Sequence, residues 1–316
     1  MKLSELINLR NMLNELSVVD VQQTTNLDLE KINYLVNTNS EVMADQLNLV
    51  NQEFQNLQIA FNNFDQQFKN VKIHLNKLID QQQSYWFQES YRIYEKLVNE
   101  GHDYIMNCLR PTIHPETVLR SRLRNYADWR YPAMIIRPGV ETFITDMVGY
   151  DPLYIIDLNR HFLGKAPHLF SEPYQNRLRP YIIEENLDHE ILSQIPNNQF
   201  GMCFVYNFFN HRTLEHIKKY LTEIYEKLRP GGVLIMTYND CDRVPGVRLV
   251  EQGLACYTPG ILVNQIAENI GYEKFYSWND GEPKTFLEIR KPGSLESIRG
   301  GQSLAKIMSK PIAESK

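Results

Sequence analysis

Cysteine is scarce in this chain. The four in 316 residues, Cys108, Cys203, Cys241 and Cys256, stand too far apart for a Cys-x-x-Cys pair, which argues against a zinc site and a disulfide framework and points to a reducing compartment. Also missing are any apolar run of about eighteen residues and the short apolar segment of a secretory signal at the start. Membrane spanning and that export route are not expected, and a cytoplasmic location is. The third absence is surplus positive charge. With 33 Lys and Arg against 38 Asp and Glu the net charge is −5, so nothing draws the whole molecule to nucleic acid, although a local basic patch remains open.

What is present changes character near residue 85. From Met43 the apolar residues Met43, Leu47, Val50, Phe54, Leu57, Phe61, Phe64, Phe68, Val71, Leu75 and Leu78 alternate spacings of three and four. Sustained over roughly five heptads, this seam predicts a helix and favours a coiled coil over a helix inside an intramolecular bundle. Taking Leu47 as position a places Phe54, Phe61 and Phe68 at a, where they sit poorly in a tight two-stranded seam. A homo-oligomer through residues 43–78, a trimer or larger, is the expected partner state. Upstream, Leu3, Leu6, Ile7, Leu13 and Leu16 predict a short separate helix, and residues 25–28 a capped start for the long one. Beyond Leu78 the seam gives way to Tyr85, Trp86, Phe87, Tyr91 and Tyr94, as where a rod meets a globular body.

From Pro132 the pattern becomes strand, helix, strand: an apolar run at 133–136, a turn at Pro138 and Gly139, a helix over 141–147, and a strand at 153–157 ending on Asp157. Further strands are predicted at 181–183, 202–206, 233–237, 273–278 and 285–289, with helices over 188–194, 214–228 and 259–270. Such alternation predicts a mainly parallel sheet covered on both faces, with ligands at the carboxyl ends of its strands. Asp157 lies about eighteen residues after Gly139, close to the spacing at which an acid grips ribose hydroxyls in nucleotide-binding α/β folds, although a strand-end Asp also serves as a turn residue.

The segment IKKYLTEIYEKLRPGGVLIMTYND, residues 217–240, joins an amphipathic helix through Leu228-Arg229-Pro230-Gly231-Gly232 to an apolar strand. It resembles the helix, turn and strand that follow the fourth strand in class I S-adenosylmethionine-dependent methyltransferases. The closing LVNQIAENIGYEKFYSW and KTFLEIR resemble the last helix and antiparallel hairpin of that family's sheet. The resemblance covers residues 131–291 and implies a doubly wound, mainly parallel, seven-stranded Rossmann-like α/β sheet that binds S-adenosylmethionine. It further implies that Arg137, Gly139 and Glu141 lie where the glycine-rich loop wraps the methionine moiety, that Asp157 is the ribose-binding acid, and that Glu184, Glu185 and Asn186 lie near the adenine. Asn207 to His211 follow the fourth strand, facing cofactor and substrate, and Tyr206, the last residue of that strand, is a cofactor-binding candidate; Asn207 and His211 are the catalytic candidates. The chain departs from the family pattern in its first loop, where Arg137-Pro138-Gly139-Val140-Glu141-Thr142 offers one glycine in place of several.

Arg110, Arg120, Arg122, Arg124, Arg130 and Arg137 form a basic stretch near Tyr126 and Trp129, which reads either as a hold for a phosphate-bearing or nucleic-acid substrate or as a solvated helix face. Residues 292–316 read as a tail with Leu304, Ile307 and Met308 as anchors for a protein partner. The expected layout is a coiled-coil arm (1–84), a helical connector (85–130), a methyltransferase-like domain (131–291) and a tail (292–316). Two functions fit. One is a methyltransferase of unknown acceptor on an oligomeric arm. The other is a structural or assembly protein, such as a virion component, that keeps a catalytically decayed methyltransferase fold as a scaffold.

Overall fold

The computed structural model describes residues 2–15, 41–99, 115–137, 142–279 and 283–293. Gly139, Glu141, Arg110, the capped start at 25–28 and the tail anchors lie outside the described residues. The chain divides into two compact units, Met1–Tyr85 and Trp86–Lys316. In the first, α1 (Leu3–Glu15) buries Leu3, Leu6 and Ile7 at helical spacing; α2 (Glu41–Asn99), one helix of 59 residues, belongs to the first unit up to Tyr85 and to the second from Trp86. It runs through the aromatic segment without a break, so the loss of the heptad seam after Leu78 marks a change of environment and no change of backbone. Among the described residues no helix is long and apolar enough to cross a membrane.

The second unit is built on seven strands: β1 (Ala133–Ile136), β2 (Leu153–Asp157), β3 (Leu178–Ile182), β4 (Phe200–Val205), β5 (Leu228–Asn239), β6 (Glu273–Asn279) and β7 (Lys284–Arg290). Their order is β3-β2-β1-β4-β5-β7-β6. The first five are parallel, and β7 runs antiparallel between β5 and β6. This is the seven-stranded, mainly parallel α/β sheet with a closing antiparallel hairpin that the sequence predicts. The central strand explains why its segment reads as an unbroken apolar run: Phe200, Cys203 and Val205 enter one core, Met202 and Phe204 the other, so neither face of β4 meets water. On the first face α6 (Leu214–Lys227) lays down Ile217, Tyr220, Leu221 and Ile224, and α8 (Gly260–Ile270) adds Val263 and Ala267. On the second, α3 (Pro115–Asn125) contributes Leu119 and Leu123. The chain also forms α4 (Arg160–Lys165), α5 (Glu172–Gln175) and α7 (Val244–Glu251).

Three local expectations need correction. The Arg-Pro-Gly-Gly turn lies inside β5: Leu228 already pairs with Phe200, and the register shifts before Val233 pairs with Met202. This bulge needs glycine, because Gly231 has a φ of 72° and a Cβ on Gly232 would meet the carbonyl oxygens of Arg229 and Phe200 at 2.8 Å. No helix forms over 188–194. There the N–H groups of Ile191 and Leu192 donate to the Glu223 carboxylate at 3.0 and 2.6 Å, so a side chain from α6 takes the place of helical carbonyls. The segment after the first loop is a 3-10 helix, Thr142–Met147, rather than an α-helix.

Candidate functional site

In this strand order the chain leaves β1 toward β2 and β4 toward β5, in opposite directions, so the switch point lies between the carboxyl ends of β1 and β4, where open α/β sheets bind ligands. Each strand is followed there by a non-glycine residue in the left-handed region, Arg137 directly after β1 at φ 56° and Asn207 two residues after β4 at φ 52°. For arginine this is an uncommon backbone, and such outliers cluster at functional sites. Each is held by a hydrogen bond from its own amide: Arg137 N–H to the Ile156 carbonyl at 2.6 Å, and Asn207 N–H to Thr237 Oγ1 at 2.8 Å. Both positions are therefore pinned at the edge of the crevice by neighbouring strands.

Asp157 closes β2 one strand away. It is buried; its Oδ1 accepts the Asn159 N–H at 2.8 Å, and its carbonyl accepts the Ile183 N–H at 3.0 Å. The strand-end acid thus fills a turn role while lying at the carboxyl edge beside β1. The residues after β3 separate. Glu184 is exposed. Asn186 Oδ1 accepts the Asp188 N–H at 2.9 Å, a local turn. Glu185 belongs to a buried ion pair: Arg212 Nε donates to it at 2.7 Å and Tyr94, on the last turns of α2, at 3.1 Å. Arg212 is 0% exposed, and its guanidinium carbon lies 4.2 Å from the Phe208 ring centroid. Burial, with the charge of Glu185 second, pushes the Tyr94 hydroxyl pKa well above its ordinary value.

Tyr206 to His211 occupy the end of β4. The buried Tyr206 ring packs near Phe204 and Phe286, with Lys284 Nζ 5.3 Å from its centroid. Asn207 and His211 are both buried, and His211 lies in the 3-10 turn Phe209–His211. Asn207 Oδ1 is reached by Asn210 Nδ2 at 3.5 Å. Sequence reasoning missed two further carboxamides. Asn239, at the end of β5, points its Nδ2 at Cys241 Sγ, the Gly246 carbonyl and the Cys256 carbonyl, between 3.1 and 3.3 Å. That fixes its orientation and turns Oδ1 the other way. The oxygens of Asn210 and Asn239 are buried acceptors without a donor among the described residues, a costly state that a ligand or a water relieves. Cys256 links the two, donating its N–H to the Asn210 carbonyl. In the sequence, Asn210 lies within the segment ending at His211 that the resemblance places at the site, and Asn239 is marked only by ending an apolar run.

The remaining chemistry is quiet. Burial pushes the Cys203 and Cys241 thiol pKa values well up, so both are neutral and unsuited to nucleophilic work. Burial lowers the pKa of His216, whose Nδ1 is 2.8 Å from Thr213 Oγ1. Among the described residues no group of His, Cys, Asp and Glu is arranged to hold a metal ion. The basic stretch is matched by acids: Arg120 and Arg124 pair with Asp146, Arg122 with Glu288 at 3.4 Å, and Arg130 with Asp128 at 2.8 Å. Asp146 and Glu288 are both buried at their side chains, so Arg122 ties α3 to β7 and Arg120 and Arg124 tie it to the 3-10 helix, while the Arg124 side chain stays 64% exposed on the helix face.

An S-adenosyl cofactor asks for a carboxylate at the ribose, a close-approaching backbone at the methionine moiety and polar groups facing the transferred methyl. Asp157, the reversed backbone at Arg137 and the Asn207–Asn210 pair supply groups of those kinds at one edge of the sheet; Glu185 is already engaged elsewhere.

The sequence matches no family model and no curated protein. Among solved structures it is similar to the N-methyltransferase NodS from Bradyrhizobium japonicum WM9 in complex with S-adenosyl-L-homocysteine. That match has 12% identity and a TM-score of 0.43 over 57% of this chain and 90% of that one. It is also similar to the complex between the Haloferax volcanii Trm112 methyltransferase activator and a putative methyltransferase (12%, TM-score 0.47, 64% and 98%). A third is an O-methyltransferase family protein from Burkholderia thailandensis (13%, TM-score 0.44, 57% of each chain).

Proposed function

We propose that the second unit is an S-adenosylmethionine-dependent methyltransferase domain, with the acceptor bound beside the end of β4. One observation supports this reading: a buried carboxylate, Asp157, ends β2 beside a switch point whose two flanking strands are each followed by a non-glycine residue in the left-handed region. Asp157 would hold the ribose hydroxyls, and the backbone from Arg137 onward, with Gly139 and Glu141, the methionine moiety. When bound, the cofactor supplies an electrophilic methyl group on a sulfonium sulfur. The protein's part is then to hold the acceptor's lone pair in line with that methyl, which by itself accounts for much of the rate. The donorless Asn210 oxygen suits an acceptor N–H or O–H, and Asn207 fixes Asn210 through their side-chain contact. His211 is the nearby group able to take a proton after its loop opens, since its ring is buried in this conformation.

Isothermal titration of the full-length protein with S-adenosylmethionine and S-adenosylhomocysteine tests the reading. Micromolar binding supports it; no heat and no thermal shift with either compound at saturating concentration would overturn it. The second reading, a structural or assembly protein on a decayed fold, draws on the engagement of Glu185 by Arg212 and Tyr94, which leaves the expected adenine-side acid committed to the interior. The same titration separates the two.

A further inference from the structure

Within the first unit, α2 carries five large apolar side chains one heptad apart, Leu57, Phe64, Val71, Leu78 and Tyr85, that are 60, 58, 52, 46 and 50% exposed. The adjoining line of the seam differs. Phe61 and Phe68 are half-buried, and Leu75 and Ile79 are buried. The unit's own packing therefore uses one edge of the heptad seam and leaves the other to solvent. A continuous file of this length is unlike the scattered single apolar residues of an ordinary surface.

The spacing identifies the occupant. A straight α-helix has 3.6 residues per turn, so a strict seven-residue file drifts about 20° around the axis with each heptad. A globular surface follows such a file badly. A helix that winds around α2 with the same repeat stays in contact along all of it, and the repeat at hand is this chain's own. The open flank also suits identical copies. Beside the file lie Ala60, Gln67, His74 and Gln81, all exposed, so no Asp, Glu, Lys or Arg of one copy is brought against its own counterpart in the next.

We propose that the file from Leu57 to Tyr85 is a homotypic contact surface, occupied by α2 of a second copy of this chain. The claim is independent of whether the second unit binds a cofactor. Because α1 lies beside the Leu75 edge, through Arg10, Leu13 and Asn14, the contact uses a half-seam, and the bulk of Phe61 and Phe68 no longer sets the number of chains.

Sedimentation velocity of the full-length protein over a range of concentrations tests this. The expected mass at high concentration is a multiple of 37.2 kDa, falling on dilution. The double variant Phe64→Gln with Val71→Gln is expected to sediment as a single chain with unchanged far-ultraviolet ellipticity, since both positions are exposed in the single chain. If ellipticity falls, the pair Leu57→Gln with Leu78→Gln is read instead. Ile59→Gln with Ile73→Gln, equally exposed at 60 and 62% but on the opposite face, is expected to keep the parent mass. A single-chain mass for the parent at all concentrations, a Phe64/Val71 variant that stays assembled, or a control that dissociates as readily would each overturn the proposal.

Discussion

Replacing Glu185 by leucine is expected to cost the second unit about 3 kcal/mol of stability. The magnitude follows from what surrounds Arg212. Two charges about 4 Å apart attract by roughly 4 kcal/mol at an effective dielectric near 20, while withdrawing each ion from water costs several kcal/mol. The intact pair therefore adds little net stability. Removing one partner leaves the desolvation of the other unopposed, and measured losses for broken buried pairs run about 3–5 kcal/mol. The lower end applies here, because the Phe208 ring beneath the guanidinium and the His211 carbonyl at 3.3 Å still stabilise the cation. Arg212→Leu leaves the Glu185 carboxylate buried beside the Tyr94 hydroxyl without its cation and is expected to cost a similar amount. The double variant should recover most of either loss, since two apolar groups then replace two ions. Urea unfolding at neutral pH, followed by tryptophan fluorescence, measures all three. Losses below about 1 kcal/mol for both single variants, or a double variant showing the sum of the two, would refute the reasoning. Either result would return Glu185 to the ligand-binding edge.

Gly232→Ala is expected to destabilise by roughly 2 kcal/mol or more, because the new Cβ meets two carbonyl oxygens in the β5 bulge; an unchanged thermal midpoint would show that the bulge relaxes. Asp157→Asn keeps the turn to Asn159 and removes the charge, so melting should hold while S-adenosylhomocysteine binding weakens by about 1–3 kcal/mol; equal affinity takes Asp157 out of the site. For His216, burial lowers the folded-state pKa from 6.5. The unfolded chain then binds the proton more readily, so the stabilisation is complete above about pH 6.5 and is lost as the pH falls below it toward the lower folded value. The urea midpoint should drop more between about pH 7.5 and 5.5 in the parent than in His216→Gln; equal drops would contradict it.

The strands were legible because burial on both faces leaves runs such as Met202 to Val205 apolar throughout, and the Leu228–Gly232 segment was legible because proline and paired glycines constrain the backbone. The segment's place inside β5 was not, since the bulge depends on Phe200 and Lys291, both distant in sequence. α7 escaped detection because Pro245 and Gly246 look like breakers, yet a proline is tolerated in the first turn and Gly246 is required by the approach of the Asp240 carbonyl. The predicted helix at 188–194 failed for the opposite reason, a carboxylate more than thirty residues away competing for its amides. At the site, the strand-end position of Asp157 was readable from the alternation of elements, and those of Arg137 and Asn207 from the resemblance to the methyltransferase family. The partners of Glu185 and of the arginines in α3 were not, because ion pairs between remote segments leave no periodic trace.

The place of β7 bears on how the molecule is made. It is the last strand in sequence but stands second from the edge, paired along its length with β5 on one side and β6 on the other. A ribosome that has delivered everything up to β6 has produced a sheet whose β5 flank, a row of open amide and carbonyl groups beside an apolar strand, waits for a segment not yet synthesised. Between the emergence of Asn239 and that of Arg290 the nascent chain is exposed to mispairing. Any cut upstream of Arg290 would make that transient state permanent, so truncations meant to isolate the β-sheet unit must begin beyond it.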